Sequence, residues 1–212
     1  FLILRKAGFW LSVKNRFLIY FLFTVILLIE KWRNGMWLEK QPLTEVLISK
    51  KELAQKVEQL GDQITRYYRG KELFLVIILK GSLVFAADLM RCLDLPVTID
   101  FMSISSYGNG SISSGDIKIV KDLAADIGGK DVLIVEDIID SGNTLAKLQS
   151  ILQKRHPNSL KICTLLDKPS RRQVDMQVDF CGFTIEDKFV VGYGLDFAEQ
   201  YRHLPFIGVL NG

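Results

Sequence analysis

Cysteine is scarce in this chain and histidine scarcer, with three Cys and two His among 212 residues. Cys92, Cys163 and Cys181 show no CxxC spacing and no histidine cluster beside them, which argues against a zinc site or a disulfide framework and leaves reduced core thiols. No low-complexity tract and no self-similar period is present, so solenoid and disordered classes fall away. The phosphate loop GxxxxGK[ST] is absent, and no GxGxxG follows a strand, which removes the two commonest nucleotide-binding fingerprints. Positive charge is missing where it would matter. The formal net charge is +3, but residues 1–35 hold six basic residues and one acid, leaving 21 basic and 23 acidic residues in the other 177. That body carries −2 and gives no electrostatic reason to expect a nucleic-acid partner.

The long hydrophobic run is also short of what a membrane needs. FLIYFLFTVILLI, Phe17 to Ile29, is an apolar run of thirteen residues broken only by Thr24, against about 20 for a spanning helix, and no small-residue cleavage site follows it. Residues 1–35 therefore read as an extension set apart from the fold. A translated upstream region or displaced gene start, a membrane anchor or signal-like element, and an amphipathic addition all remain open. Residues 36–212 read as one domain, and membrane contact is expected only through the extension.

What is present is a strand–helix alternation. Ser49 with Glu52 makes a capping box ahead of a helix expected at about 50–68, which Gly70 ends. LFLVIIL, Leu73 to Leu79, is a short unbroken run of the kind that is buried on both faces of a parallel sheet. SLVFAADLMRCL after it suits a packed helix. Further strands are expected at Pro96–Ser105, Asp131–Glu136 and Leu160–Leu166, with a helix at Asn143–Arg155. Strands alternating with helices imply an α/β fold whose mostly parallel sheet carries helices on both faces. The pieces around QVDFCGF, FVVGYG and FIGVL lack such helices and are expected to build a smaller cap. The stretch from Ser106 to Gly115, rich in Gly, Ser and Asn, reads as a mobile loop, with a surface hairpin as the alternative.

VLIVEDIIDSGNTL, Val132 to Leu145, sets four aliphatic residues against Glu136, Asp137 and Asp140 and then a small polar turn. Ligands of such sheets bind beyond the carboxyl ends of the strands. Adjacent strand residues point to opposite faces, so Glu136 and Asp137 are expected to emerge past the strand end rather than be buried. SGNT then opens a helix whose free N–H groups attract an anion, with Ser141 and Thr144 adding hydroxyls and Gly142 allowing close approach. Acids beside a phosphate cup repel the ligand unless they bind sugar hydroxyls or Mg²⁺, so phosphate, ribose and metal are implied together.

The same stretch resembles the phosphoribosyl-diphosphate motif of type I phosphoribosyltransferases, and its EDIIDSG core resembles the hypoxanthine-guanine phosphoribosyltransferases. The resemblance runs from Glu39 to Asn211 and includes LKGS (Leu79–Ser82), SSYG (Ser105–Gly108), LLDKPSRR (Leu165–Arg172) and KFVVGYGLDFAEQYRHLP (Lys188–Pro205). It implies the type I fold with a small C-terminal β-rich hood. It further implies that the backbone around Lys80 and Gly81, with an unusual cis peptide, faces the diphosphate, and that Arg202 contacts the pyrophosphate. Glu136 and Asp137 match the ribose-hydroxyl contacts, and Ser141, Gly142, Asn143 and Thr144 the phosphate cup. Asp140 matches the general acid/base. Ile138, Lys168, Phe189 and Val190 match the purine contacts, Lys168 reading the exocyclic oxygen. Ser106 and Tyr107 begin the lid, and Asp196, with Glu136 and Asp137, matches the Mg²⁺ ligands. Asn143 departs from relatives that carry lysine there, though it keeps a donor for phosphate.

The resemblance implies a cytoplasmic purine-salvage enzyme, a homodimer or homotetramer, whose substrates are phosphoribosyl diphosphate and a 6-oxopurine. Two other readings stay open: a relative that prefers xanthine, and a regulator that binds phosphoribosyl diphosphate as a signal without catalysis.

Overall fold

The computed structural model describes residues 43–106 and 117–210. In chain order the elements are β1 (Leu43–Ile48), α1 (Lys50–Tyr67), β2 (Leu73–Leu79), α2 (Leu83–Arg91), β3 (Val97–Ser106) and β4 (Ile117–Lys121). There follow β5 (Asp131–Ile139), α3 (Asn143–Gln153), β6 (Ser159–Asp167), β7 (Phe180–Thr184), β8 (Val190–Val191) and β9 (Ile207–Leu210). Six strands form one sheet in the order β4-β3-β2-β5-β6-β7, parallel except for β4. The other three form an antiparallel hood in the order β1-β9-β8.

The unbroken apolar run of β2 is explained by its two faces. Leu73, Leu75 and Ile77 enter one core with Leu53, Val57, Leu60 and Ile64 of α1 and Phe85 and Leu89 of α2. Phe74, Val76 and Ile78 enter a second core with Leu145, Leu148 and Leu152 of α3. The side-chain period of two thus sends every other residue to each helix layer. Because α2 and α3 cover opposite faces, and β3 and β6 lie on opposite sides of the β2–β5 pair, the strand order reverses between β2 and β5. That is where a doubly wound sheet opens a crevice at its carboxyl edge.

The structure differs from the sequence reading in several places. β4 occupies Ile117–Lys121, past the stretch read as a mobile loop, and pairs antiparallel with β3, a strand the sequence reading did not name. β7 belongs to the main sheet, parallel to β6 with Cys163 opposite Phe180, rather than to the cap. Its crossover holds only a 3-10 turn at Pro169–Arg171, so the helix whose absence had set it apart was not required. The hood is completed by β1, from the other end of the described chain. Cys163 is a buried free thiol as expected, but Cys181 is exposed, since β7 is an edge strand with alternate side chains turned outward. The expected extension at 1–35 and Tyr107 lie outside the described residues, and so does the side chain of Ser106. Among the described residues, no helix is long and apolar enough to cross a membrane.

Candidate active site

β5 runs three residues further than its sequence suggested, and the reason lies in its neighbours. On one side β2 is paired with it only as far as Val135. On the other, β6 continues the ladder through Glu136, Ile138 and Ile139. The acidic end of β5 is therefore held in strand conformation along one edge while the other faces the loop that leaves β2. Glu136 and Asp137 do not emerge past the strand as expected; they sit within it, at an open seam of the sheet.

That loop starts at the cis peptide Leu79–Lys80 and presses on Asp137. A Cβ placed on Gly81 would lie 1.6 Å from Asp137 Oδ2, so only glycine admits this approach. Asp137 Oδ1 accepts the Ile138 N–H at 2.8 Å. Glu136 Oε2 is buried with no hydrogen-bond partner. Burial pushes Glu136 well above the usual carboxylate range, with the Asp137 charge adding to it, and burial also raises Asp137. Two adjacent, partly buried carboxyls, one with an unsatisfied oxygen, are a costly arrangement that a bound cation or sugar hydroxyl would relieve.

α3 begins where β5 ends. Gly142 stands at its N-cap with φ 80° and no side-chain cap; a Cβ there would come 3.0 Å from Arg172 Cδ and from Val174 Cγ2. Ser141 Oγ accepts the Asn143 N–H at a long 3.4 Å, and Thr144 is exposed. The Asn143 amide, expected to reach phosphate, instead donates to Gln173 Oε1 at 2.7 Å, because Gln173 is fixed nearby by its own N–H bond to the Ser141 carbonyl. The first turn of α3 remains a set of N–H donors with almost no protein acceptor.

Asp140, half exposed, accepts Arg171 Nε at 3.1 Å, and Arg171 Nη1 reaches Asp187 Oδ2 at 3.4 Å. Asp187 Oδ1 lies 3.7 Å from Lys168 Nζ, whose residue is only 7% exposed. A chain of alternating charge thus joins the proposed acid/base to the proposed purine-reading lysine. Arg171 and Asp187 had no part in the sequence reading; the one available signal was the pair of arginines after Pro169. Phe189 is 52% exposed and meets Phe197 edge-to-face at 5.6 Å, where a ring serving only the core would be covered. Val190 is buried in β8, and Ile138 packs against the core that holds it.

Arg202 donates from Nη1 to the Gly194 carbonyl at 2.8 Å and from Nη2 to Asp196 Oδ1 at 2.8 Å. Lys80 does not meet Arg202 directly; both cations meet Glu199, a residue the sequence reading passed over. Glu136, Asp137 and Asp196 do not converge into one metal cluster, and among the described residues no three metal-ligating side chains do. This still suits Mg²⁺, which is commonly held by one or two carboxylates while substrate oxygens and water supply the rest. The unpartnered Glu136 oxygen is the feature that fits it. A cavity of about 540 Å³ lies apart from these acids, between α1, α2 and residues 202–205.

A helix start with free N–H groups beside partly buried acids, at the switch point of a parallel sheet, is the arrangement in which such sheets accept phosphate-bearing ligands. The family of phosphoribosyl transferase domains matches residues 45–198, and the chain belongs to that family. It is 58% identical over 166 residues to the hypoxanthine phosphoribosyltransferase of Salmonella typhimurium, covering 77% of this chain and 93% of that one. The Escherichia coli protein of the same name is 57% identical over the same length. Among solved structures, a hypoxanthine phosphoribosyltransferase from Staphylococcus aureus superposes with a TM-score of 0.78 at 49% identity, over 80% of this chain and 92% of that one. A hypoxanthine-guanine phosphoribosyltransferase from Bacillus anthracis gives 0.77 at 50% identity, over 80% and 99%.

Proposed function

We propose that the chain transfers the 5-phosphoribosyl group of 5-phospho-α-D-ribose 1-diphosphate to N9 of hypoxanthine or guanine, forming IMP or GMP and pyrophosphate. The observation that carries this reading is the acidic end of β5, laddered on one side only, facing the Lys80–Ser82 loop and running into an uncapped helix. Glycosidic bond exchange needs those parts together: acceptors for ribose hydroxyls, donors for the 5-phosphate, and positive charge at the leaving group.

In this reading the first turn of α3 binds the 5-phosphate, and Glu136 and Asp137 accept hydrogen bonds from the ribose hydroxyls. As the bond to diphosphate breaks, positive charge grows on the sugar and negative charge on the departing oxygens. Lys80, Arg202 and the backbone of the Gly81 turn stabilise the latter. Bound Mg²⁺, held through substrate oxygens with Asp196 and the Glu136–Asp137 pair, would supply further positive charge there. Asp140, oriented by Arg171, exchanges a proton with N7 while N9 attacks the sugar. Lys168 offers only donors, which suits the oxygen at position 6 and leaves adenine's amino group unpaired. Phe189 is the stacking face. The family resemblance supports a cytoplasmic homodimer or homotetramer.

The test is a panel of hypoxanthine, guanine, xanthine and adenine with phosphoribosyl diphosphate and Mg²⁺, following nucleotide formation. Turnover of hypoxanthine or guanine well above adenine is expected. A clear preference for xanthine would change the substrate, and binding of phosphoribosyl diphosphate without turnover of any purine would favour the regulator.

A further inference from the structure

The two cations assigned to the diphosphate are not waiting free. Lys80 Nζ lies 3.1 Å from Glu199 Oε1 and 3.0 Å from Oε2, so it is held by both oxygens of one carboxylate. Arg202 Nη2 lies 3.4 Å from the same Oε2. The position of Glu199 is set by its own backbone, whose N–H donates to Asp196 Oδ2 at 2.9 Å. Phe197 and Gln200 bridge the turn on either side of it. Three residues of this turn, Ala198, Glu199 and Tyr201, have φ of 49°, 64° and 74°, in the left-handed region that L-residues occupy at some cost. A surface carboxylate would not need such a turn merely to find a lysine. Here the turn aims one acid at two cations from two different segments, the loop after β2 and the connection between β8 and β9.

We propose that Glu199 is an internal substitute for the diphosphate: in the ligand-free enzyme its carboxylate occupies the Lys80 and Arg202 cations, and the incoming diphosphate must displace it. This rests on the proposed assignment of Lys80 and Arg202 to the leaving group. With Asp196 also on Arg202, two cations face two carboxylates, and the leaving-group site is neutral before substrate arrives. Lys80 and Glu199 are 65% and 66% exposed at their side chains, so water and salt screen the pair and it stays weak. Weakness is what a displaceable contact requires. A tight buried pair would block the substrate, whereas an exposed one lowers affinity by a small factor and hastens release of product pyrophosphate when it swings back.

The experiment measures binding of inorganic pyrophosphate with Mg²⁺ to the full chain by calorimetry, for the wild type and for Glu199→Gln and Glu199→Ala. Both variants are expected to bind pyrophosphate about three- to fivefold more tightly, corresponding to the upper range of an exposed ion pair. Their affinity for IMP is expected to match the wild type, and the unfolding midpoint of the ligand-free protein to fall slightly, by the stability that the lost pair supplied. The gain should shrink as salt is raised. Unchanged or weaker pyrophosphate binding in either variant would overturn the proposal, weaker binding meaning that Glu199 assists the ligand or its metal. Failure of the wild type itself to bind pyrophosphate would instead remove the assignment of Lys80 and Arg202, and with it the proposed function.

Discussion

Two helix starts in this protein meet the same requirement in opposite ways. At the start of α1, Ser49 Oγ accepts the Glu52 N–H at 3.3 Å and Glu52 Oε2 accepts the Ser49 N–H at 2.8 Å. The carboxylate also complements the helix dipole, and the hydrogen bonds to Ser49 hold Glu52 below its ordinary pKa. At the start of α3, Gly142 stands where a capping side chain would be, and no acid lies in the first turn. α1 satisfies its orphan donors from within, and α3 leaves them for something else. Glycine in place of a capping side chain costs only a few tenths of a kcal/mol, so the contrast lies less in stability than in which donors are left free for a ligand.

The comparison breaks first at Asp140. If the α3 start is chemical rather than structural, Asp140→Asn should lower turnover by about 10²- to 10⁴-fold, the range for a general acid/base. Phosphoribosyl diphosphate should still bind, since the N–H groups of α3 are untouched. Steady-state kinetics beside calorimetric titration checks this, and near-normal turnover would take Asp140 out of the mechanism.

Glu136→Gln sharpens the contrast further. Neutralising a carboxyl next to Asp137 whose Oε2 is buried without a partner should stabilise the ligand-free protein by about 1–3 kcal/mol at neutral pH while weakening binding of phosphoribosyl diphosphate. The sign with pH follows from the raised folded-state pKa. Above the ordinary carboxylate range the folded state keeps a proton that the unfolded chain has released. Wild-type stability from this group is therefore full below the unfolded pKa and falls as pH rises through the folded one. Urea unfolding at several pH values should show the slope flattened in the variant.

The third test treats α1 alone. Ser49→Ala should cost about 1 kcal/mol of unfolding stability and leave purine turnover unchanged, because that cap serves only the fold. The smallest effect is expected when an acid is added to the first turn of α3. Thr144→Glu should stabilise the helix by about 0.3–1 kcal/mol through the dipole, yet weaken phosphoribosyl diphosphate binding by repelling the 5-phosphate. If the variant bound as well as the wild type, the α3 start would not be the phosphate cup.

The amino-acid sequence alone determined the elements whose cause is local or strictly periodic. Ser49 and Glu52 mark the helix start because a cap is a contact over three residues. Leu73–Leu79 is legible as a doubly buried strand because seven apolar residues in a row leave no polar face. The IDSGNT turn is legible because glycine and small hydroxyls directly after a strand have few other uses. Tertiary structure alone decided which acids are drawn into the sheet and which cations are held. Glu136 and Asp137 remain in the strand because β6 extends past β2 beside them, and no property of those two residues encodes how long a neighbouring strand runs. Arg171 reaches Asp140 across 31 positions and Glu199 reaches Lys80 across 119. Burial and ion pairing depend on what the fold brings alongside a side chain, and hydrophobic period carries no record of partners so far away in the chain.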